Sequence, residues 1–376
     1  MTMTQPTWTQ ADQAAGYSLP APFFYDQGVF EEEKSKIFFK SWHLVGHVND
    51  WAAPGTIVTE TIFDQSVIVA RGSDGEIRAF HNACQHRGNR LVNQRRSHAA
   101  TVTCGYHAWS YGLDGRLRGA PNTASLCNFD KAAHNLKPVR CETLGSFVFV
   151  NLDAGAQPLA EMAPDAEAEM RRFIPDLDNL VLIEEVDVPV AANWKVIQEN
   201  SIEGYHFDYS GPEHKELVAL IDFAGYRLTA HGNWWTYIGP PNTGTTQAYG
   251  LPLEGATWQT EWFFNLGLWP NATIYAFPYS DMVGTFIMIP TGPETSLLRF
   301  GYYGPAGRAL PEVTKACIRW MNEKLGPEDI ALNISNQKGL RSLGFEKGRY
   351  LIGDGIENRG EHLVRHFHQL CHGALR

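Results

Sequence analysis

The feature that most constrains this chain is the segment from Cys84 to Trp109, which contains two pairs of cysteine and histidine. Cys84 and His86 are separated by one residue, and Cys104 and His107 by two. Two thiolates and two imidazoles suit one metal centre, and this mixed set is typical of a [2Fe–2S] cluster in which two histidines replace two cysteines on one iron. A structural zinc site also accepts such ligands, but its usual Cys-x2–4-Cys and His-x3–5-His spacings do not occur among these four residues. The segment therefore predicts an iron–sulfur cluster.

The composition narrows the class of protein. With 376 residues, of which 44% are hydrophobic, the chain is long enough for two domains with sizeable cores. A formal net charge of −10 and the lack of a long basic run argue against nucleic acid or an anionic membrane as a partner. The N-terminus lacks a secretory signal pattern, no apolar run approaches bilayer length, and the other cysteines are scattered. We therefore expect a soluble cytoplasmic protein.

Two N-terminal segments differ in their hydrophobic pattern. Residues 1–42 read as an arm, 1–18, followed by a helix with acidic residues at its start and lysines after them. Residues 43–155 alternate or run apolar in short stretches and include a hairpin turn at 73–75. This second pattern predicts a small all-β domain that carries the metal ligands on two loops.

The remaining segment, 156–376, mixes helix and strand patterns. Strand patterns follow one another between 272 and 304, and helix patterns begin at Pro311 and at about Arg359. We therefore expect an α+β chain, in which a larger domain with an antiparallel sheet flanked by helices follows the small β domain.

The larger segment also contains a second set of metal-binding residue types. On a helix, Glu199, Glu203 and His206 would share one face, because they are four and then three residues apart. Iron(II) that activates O2 is typically bound by two histidines and one carboxylate on one side, which leaves other positions open. His206 supplies one imidazole, and His214 is the nearest candidate for the second.

The two cysteine–histidine motifs, 84–88 and 104–111, resemble the Rieske signature, and the turn at 112–115 continues it. Over nearly its whole length the chain resembles the oxygenase (α) component of Rieske non-haem iron oxygenases, also called aromatic-ring-hydroxylating dioxygenases. The resemblance implies a Rieske [2Fe–2S] domain at 43–155. It also implies a catalytic domain of the helix-grip type at 156–376, with a mononuclear Fe(II).

Residues 193–214 resemble the family motif Asn-x2-(Asp/Glu)-x-Tyr-His, with one residue's difference in spacing. By this resemblance, His206 is the first iron ligand, Glu203 links a cluster histidine to an iron ligand, and Asn200 is a neighbour of the site. Glu203 would accept hydrogen bonds from His107 and His206. Such a bridge joins two subunits in the family, so the resemblance implies a head-to-tail homotrimer.

The second iron histidine departs from the family pattern. In most relatives it follows the first by five residues, a position that Gly211 occupies here, whereas His214 lies eight residues after His206. The assignment of His214 therefore requires an insertion in the loop, and His231 is a distant second choice.

The carboxylate ligand is expected from a late helix. The stretch that begins Gly326-Pro327-Glu328-Asp329 resembles the family's segment, and Asp329 is the choice that this implies. Glu328 is the alternative ligand. Both acids also suit the first turn of a helix that Pro327 begins.

The resemblance implies a terminal oxygenase that hydroxylates a small organic substrate with O2. No dinucleotide- or flavin-binding motif occurs, so electrons must come from a separate NAD(P)H reductase, with or without a ferredoxin. The first hypothesis is an aromatic or carboxylated substrate. The alternative is removal of an N- or O-methyl group from a quaternary ammonium (betaine- or carnitine-like) or methoxy compound. A Rieske electron-transfer protein without oxygenase activity is a second alternative.

The substrate pocket is predicted in the aromatic-rich stretch from Trp234 to Tyr279, which includes Trp258. Some of these rings could stack on an aromatic substrate or surround a methylated ammonium group through cation–π contacts. A substrate carboxylate would need a positive partner, for which Arg227 and Lys215 are the candidates.

Overall fold

The computed structural model describes residues 6–253 and 261–376. The chain divides into two compact units, Phe38–Leu159 and a larger unit formed by Met1–Ile37 and Ala160–Arg376. Within the described ranges, every helix is too short or too polar to cross a bilayer.

The smaller unit is built from short strands. They are β1 (His43–His47), β2 (Thr56–Ile62), β3 (Gln65–Arg71), β4 (Ile77–His81), β5 (Arg96–His98), β6 (Thr101–Thr103), β7 (Ser110–Gly112), β8 (Leu117–Gly119), β9 (Pro138–Leu144) and β10 (Phe147–Asn151). A seven-stranded antiparallel sheet has the order β1-β10-β9-β4-β3-β2-β5, and β6, β7 and β8 form a second sheet. The predicted turn at 73–75 joins β3 to β4, with Gly75 at a φ of +85°. The predicted β-structure is therefore confirmed.

The cysteine–histidine pairs lie on two loops of this unit. Cys84 and His86 follow β4, and Cys104 and His107 lie between β6 and β7. Apolar side chains from several strands pack around both cysteines; they include Ile57, Ile68, Phe80, Val102, Trp109, Tyr111 and Leu117. The core thus fixes both loops at their cysteine ends.

The larger unit contains a seven-stranded antiparallel sheet and most of the helices. Its strands are β11 (Leu180–Val190), β12 (Arg227–Ala230), β13 (Trp234–Gly239), β14 (Gln247–Ala248), β15 (Leu251–Pro252), β16 (Phe263–Leu268), β17 (Ala272–Ala276), β18 (Val283–Gly292) and β19 (Thr295–Pro305). The sheet order is β11-β19-β18-β17-β16-β13-β12, and β14 pairs with β15. The predicted α+β fold is confirmed.

Helices precede, connect and follow these strands. They are α1 (Gln10–Ala15), α2 (Gln27–Lys36), α3 (Leu159–Met162), α4 (Ala166–Phe173), α5 (Trp194–Ser201), α6 (Pro212–Leu220), α7 (Glu312–Trp320), α8 (Gly326–Leu340) and α9 (His362–Leu375). A π-helical turn, Met321–Leu325, connects α7 directly to α8. This turn and α8 help to position the site.

From residue 6 onwards, the predicted N-terminal arm packs against the rest of the larger unit. Thr9 caps α1 by accepting a hydrogen bond from the backbone N–H of Asp12. Trp8 is 1% exposed, and its ring lies 6.5 Å from that of His368 and 5.3 Å from that of His372, centroid to centroid. The N-terminal segment therefore packs on α9 within the larger unit.

Helix α5 is too short to carry Glu199, Glu203 and His206 on one face. Helix α5 ends at Ser201, and the 3-10 turn Tyr205–Asp208 follows. Gly204 stands between them, and glycine is a poor helix former. The expectation of one shared helical face for Glu199, Glu203 and His206 is therefore wrong.

Candidate active site

The two cysteine side chains lie in a buried, hydrogen-bonded environment. Asn89 donates a hydrogen bond to Cys104 Sγ at 3.6 Å, and Tyr111 Oη lies 3.4 Å from Cys84 Sγ. Burial acts to raise the pKa of the Cys104 thiol, but hydrogen bonds from the backbone N–H groups of Tyr106 and His107 outweigh it and lower this pKa. The surroundings of Cys104 therefore favour its thiolate, the form that binds metal.

The two histidines of the same loops are exposed. The His86 and His107 rings lie 4.7 Å apart at 72°, and His86 also stacks on Trp109 at 4.8 Å. The donors thus fall into a buried sulfur pair and an exposed nitrogen pair. This division fits a [2Fe–2S] cluster in which two cysteines bind one iron and two histidines bind the other.

In the larger unit, His206, His214 and Asp329 come together from separate elements. They lie on the 3-10 turn Tyr205–Asp208, on α6 and on α8. One potential ligand atom from each lies within 4.8 Å of the other two. Asp329 Oδ1 is 3.1 Å from His214 Nε2 and 3.6 Å from His206 Nε2. Two imidazoles and one carboxylate thus converge as an iron(II) site requires.

Further carboxylates orient the two imidazoles. His206 Nδ1 donates to Glu203, and His214 Nδ1 donates to Glu328 Oε2 at 2.8 Å. Hydrogen bonding at Nδ1 fixes the tautomer that leaves Nε2 to bind metal. Glu328, the alternative ligand from the sequence, therefore lies on the far side of His214 from Asp329.

Gly211, at the usual position of the second histidine, packs against Glu328. A Cβ atom at Gly211 would lie 1.9 Å from Glu328 Oε1, so a larger residue there would displace that carboxylate from its observed position. Pro212 then begins α6, which places His214 in its first turn, where Glu328 also accepts from the His214 backbone N–H at 3.3 Å. The residue at the usual histidine position thus makes space for the carboxylate that orients His214.

The charges of the site favour a cation. Burial acts to lower the pKa of His206, but the carboxylates of Asp329 and Glu203 outweigh it and raise this pKa to about 9. Burial would raise the pKa of Asp329, but His206 and His214 lower it to about 2. Three carboxylates, those of Glu203, Glu328 and Asp329, contact the two imidazoles. The residues therefore fit a divalent iron.

Asn200 lies beside the three residues, whereas Glu199 does not. Asn200 Nδ2 is 3.5 Å from His206 Nε2. Glu199 Oε1 instead accepts a hydrogen bond from the buried His368 at 2.6 Å. His231, the second choice for the iron histidine, stacks on Trp234 at 3.9 Å and does not belong to the cluster of three.

A cavity of about 110 Å³ adjoins the three residues, and all of them line it. Seven of its 22 described lining residues are aromatic; they are Phe207, Tyr237, Phe263, Tyr275, Phe277, Phe286 and Phe300. Neither Arg227 nor Lys215 lines it, so the structure does not support them as partners of a bound carboxylate. Of the predicted pocket residues, Trp234 lies outside this wall, and Trp258 lies outside the described residues.

Fold and site together define a two-centre iron protein, with a cluster-binding β unit and a unit that holds two histidines and a carboxylate. Residues 41–130 match the family described as "Rieske [2Fe-2S] domain", and residues 177–374 match "Ring hydroxylating alpha subunit (catalytic domain)".

Individual relatives agree with these matches. The chain is 33% identical over 361 residues to the carnitine monooxygenase oxygenase subunit of Escherichia coli K12, which covers 96% of this chain and 94% of the relative. It is 36% identical over 197 residues to the glycine betaine monooxygenase oxygenase subunit of Pseudomonas aeruginosa PAO1, and this match covers 52% of this chain and 45% of the relative. A crystal structure of a quaternary ammonium Rieske monooxygenase, concerned with carnitine oxidation and inter-subunit electron transfer, has a TM-score of 0.87, 28% identity and 97% coverage of both chains.

The chain therefore belongs to the Rieske non-haem iron oxygenases, as a ring-hydroxylating α-type oxygenase subunit. It is an oxidoreductase that incorporates O2, and its cofactors are a Rieske [2Fe–2S] cluster and a mononuclear iron. The predicted family, fold class and cofactors are confirmed.

Proposed function

We propose that this chain hydroxylates a carbon next to the nitrogen of a small quaternary ammonium compound. The observation that carries this proposal is the cavity beside His206, His214 and Asp329, which has an aromatic wall and no lysine or arginine among its described lining residues. The faces of aromatic rings attract cations. The relatives that act on carnitine and glycine betaine support the same substrate class.

The size of the cavity favours a small substrate. Its volume of about 110 Å³ is below the roughly 150 Å³ of an engineered cavity that binds benzene. A trimethylammonium group fits this scale. A monocyclic aromatic substrate, our first hypothesis from the sequence, is the second candidate, because the same wall could stack on one ring.

The ligand assignments belong to the proposal. Cys84, His86, Cys104 and His107 would hold the cluster, and His206, His214 and Asp329 the mononuclear iron, which supplies the activation of O2 when bound. Glu203 and Glu328 accept hydrogen bonds from the Nδ1–H groups of His206 and His214, so that both Nε2 atoms remain available to the metal. Asn200, in the cavity wall, would donate a hydrogen bond to an oxygen-bearing group held beside these residues.

The proposed reaction is balanced by two electrons. A C–H group, O2, two electrons and two protons give a C–OH group and water. A hydroxyl group on the carbon next to a quaternary nitrogen makes the C–N bond labile, because the nitrogen leaves as a neutral tertiary amine while the carbon becomes a carbonyl. Hydroxylation of an N-methyl group therefore releases formaldehyde, and hydroxylation of the longer chain releases trimethylamine.

The electrons would come from a separate NAD(P)H reductase, with or without a ferredoxin, and would pass from the cluster of one subunit to the iron of the next in a homotrimer. Glu203 is the proposed bridge between His107 of one subunit and His206 of its neighbour. Exposed tyrosines beside both groups, Tyr106 and Tyr209, are suited to such a contact. Sedimentation of the purified chain should give the mass of three copies.

The test is turnover of the reconstituted enzyme with its reductase and NAD(P)H. Glycine betaine, carnitine and benzoate are supplied separately, and formaldehyde, trimethylamine and hydroxylated aromatic products are measured. We expect an amine or aldehyde product from a quaternary ammonium compound, in proportion to O2 consumed. A hydroxylated aromatic product with no reaction of either ammonium compound would overturn the proposal in favour of the second candidate.

A further inference from the structure

Three side chains in the cavity wall, Asn265, Thr273 and Tyr275, have a buried polar atom without a hydrogen-bond partner among the described residues, and Asn265 is the amide among them. Asn265 lies on β16 and is 5% exposed, and its Nδ2 has no hydrogen-bond partner among the described residues. Buried amide groups are nearly always paired, and leaving a donor unpaired is destabilising. A buried, unpaired amide in a substrate cavity therefore points to a ligand that completes the pair.

Aromatic residues flank Asn265 on both neighbouring strands. The sheet register pairs Asn265 with Tyr237 on one side and with Tyr275 on the other, and paired residues face the same side of a sheet. A Cβ atom at Gly284 would lie 2.0 Å from the Tyr275 ring, so glycine leaves the space that this ring occupies. Asn265 thus stands between two tyrosine rings, and rotation of its amide can present either end to a ligand.

The charges of the cavity decide which acceptor fits. Its described charged lining residues are the three proposed iron ligands, and no lysine or arginine joins them. At Asn265, a simple anion would therefore be buried without a basic side chain as its partner, which is unfavourable. A zwitterion carries its own cation, so its carboxylate needs only a neutral donor.

We propose that Asn265 donates a hydrogen bond to the carboxylate of a zwitterionic methylammonium substrate whose cationic end contacts the aromatic wall. The inference rests on the proposed function and deepens it, because it selects carboxylated betaines among quaternary ammonium compounds. Asn265 is in this sense a substrate-binding residue that sets specificity.

The experiment uses two ligands that differ only in the carboxylate. Glycine betaine is tetramethylammonium with one methyl group extended by a carboxylate, and binding of both to the full-length, iron-loaded protein is measured by calorimetry. We expect Asn265→Leu to weaken the binding of glycine betaine by about 10- to 100-fold, which is the effect of losing a hydrogen bond to a charged group. Tetramethylammonium should change by less than about twofold, since it makes no such bond.

Two further variants control for fold and charge. Thr236 is buried on β13 next to Tyr237 but does not line the cavity, so Thr236→Val should preserve the preference of the wild type. Asn265→Asp has the same shape, and its carboxylate should repel glycine betaine and favour tetramethylammonium. The visible spectrum of the cluster reports whether each variant is folded and loaded.

Two results would overturn the role of Asn265. In the first, Asn265→Leu weakens the binding of glycine betaine and of tetramethylammonium equally, and Asn265→Asp binds both as the wild type does. In the second, neither variant loses affinity for either ligand. A second pair, benzoate and benzene, separates this outcome from failure of the proposed function. If the wild type binds neither ammonium compound but prefers benzoate, and Asn265→Leu removes that preference, Asn265 still binds carboxylates while the ammonium function fails.

Discussion

Two adjacent acids, Glu328 and Asp329, contact His214 at opposite nitrogens of its ring. Asp329 also faces His206, and only Asp329 is therefore placed to share a metal ion with both histidines. The sequence motif could locate the pair of acids but could not divide their roles. That division depends on the rotation of α8, which follows directly from the π-helical turn Met321–Leu325. A π-turn adds a residue and rotates all that follows, and it has no reliable local signal.

The carboxylates around the histidines form a matched series for substitution by the corresponding amides. The wild type should contain about three irons per chain, two in the cluster and one mononuclear. Asp329→Asn should lower this to about two, because an amide is a weak iron ligand, while the visible spectrum of the cluster stays unchanged. Glu328→Gln should keep the mononuclear iron but bind it about 10- to 100-fold more weakly, as loss of an orienting hydrogen-bond partner does. Iron analysis and metal titration measure both effects.

The same series of amide substitutions tests the role of Glu203, and its results can contradict each of the three assignments. Glu203→Gln should retain both iron centres yet uncouple NAD(P)H oxidation from product formation, because the proposed bridge to His206 loses its charge. If Glu328→Gln lost all of its mononuclear iron and Asp329→Asn lost none, Glu328 would be the iron ligand and Asp329 the orienting residue. Unchanged coupled turnover in Glu203→Gln would remove the bridge.

At the scale of elements, helix α5 is held in place before the chain reaches the site. Lys195 forms an ion pair with Glu33 of α2, Trp194 donates to the same carboxylate at 2.9 Å, and both charged side chains are fully buried. Near its other end, Glu199 accepts from His368, whose Nδ1 accepts from Tyr350 at 2.6 Å. The helix that leads to Asn200 and His206 is thus fixed at both ends.

Breaking the buried pair should destabilise this unit strongly. Lys195→Met leaves the Glu33 carboxylate buried without its cation, and such a change typically costs about 3–5 kcal/mol of unfolding free energy. Denaturant unfolding of the larger unit measures it. The double variant Glu33→Gln/Lys195→Met should recover most of the loss.

The exposed pair Lys315–Glu312 provides the comparison. Lys315→Met should change the unfolding free energy by less than about 1 kcal/mol, because solvent screens surface ion pairs. If Lys195→Met were equally mild, the buried pair would not be what fixes α5.

For the whole molecule, local patterns predicted the cluster, the β-rich cluster domain and the antiparallel sheet of the larger unit, and the family resemblance supplied the mononuclear iron centre. Alternation, turn residues and ligand spacing are all local properties. The end of α5 at Ser201 and the packing of Trp8 against His368 were not predictable in this way. The first depends on a competition between helix propensity and tertiary packing. The second joins residues that lie far apart in the sequence, and such contacts leave no periodic signal.

Buried histidine also links the stability of the Phe38–Leu159 unit to pH. Burial lowers the pKa of His43 below its ordinary 6.5, although its Nε2 donates a hydrogen bond to the Phe38 carbonyl at 2.6 Å, which partly opposes the shift. The unfolded chain therefore binds a proton that the folded unit excludes. The stabilisation is fully present above pH 6.5 and is lost as pH falls toward the folded-state pKa.

We expect the unfolding free energy of this unit to fall between pH 7 and pH 5, with a slope of up to about 1.4 kcal/mol per pH unit from His43. Loss of the cluster absorbance during denaturation reports the unfolding of this unit. His43→Asn removes the titrating group, so its slope should be smaller by that contribution even if the variant is less stable at pH 7. His98, which is exposed on β5, is the control, and His98→Asn should keep the slope of the wild type. Equal slopes in the wild type and His43→Asn would place the acid sensitivity elsewhere, for example at His81, whose pKa is also lowered by burial.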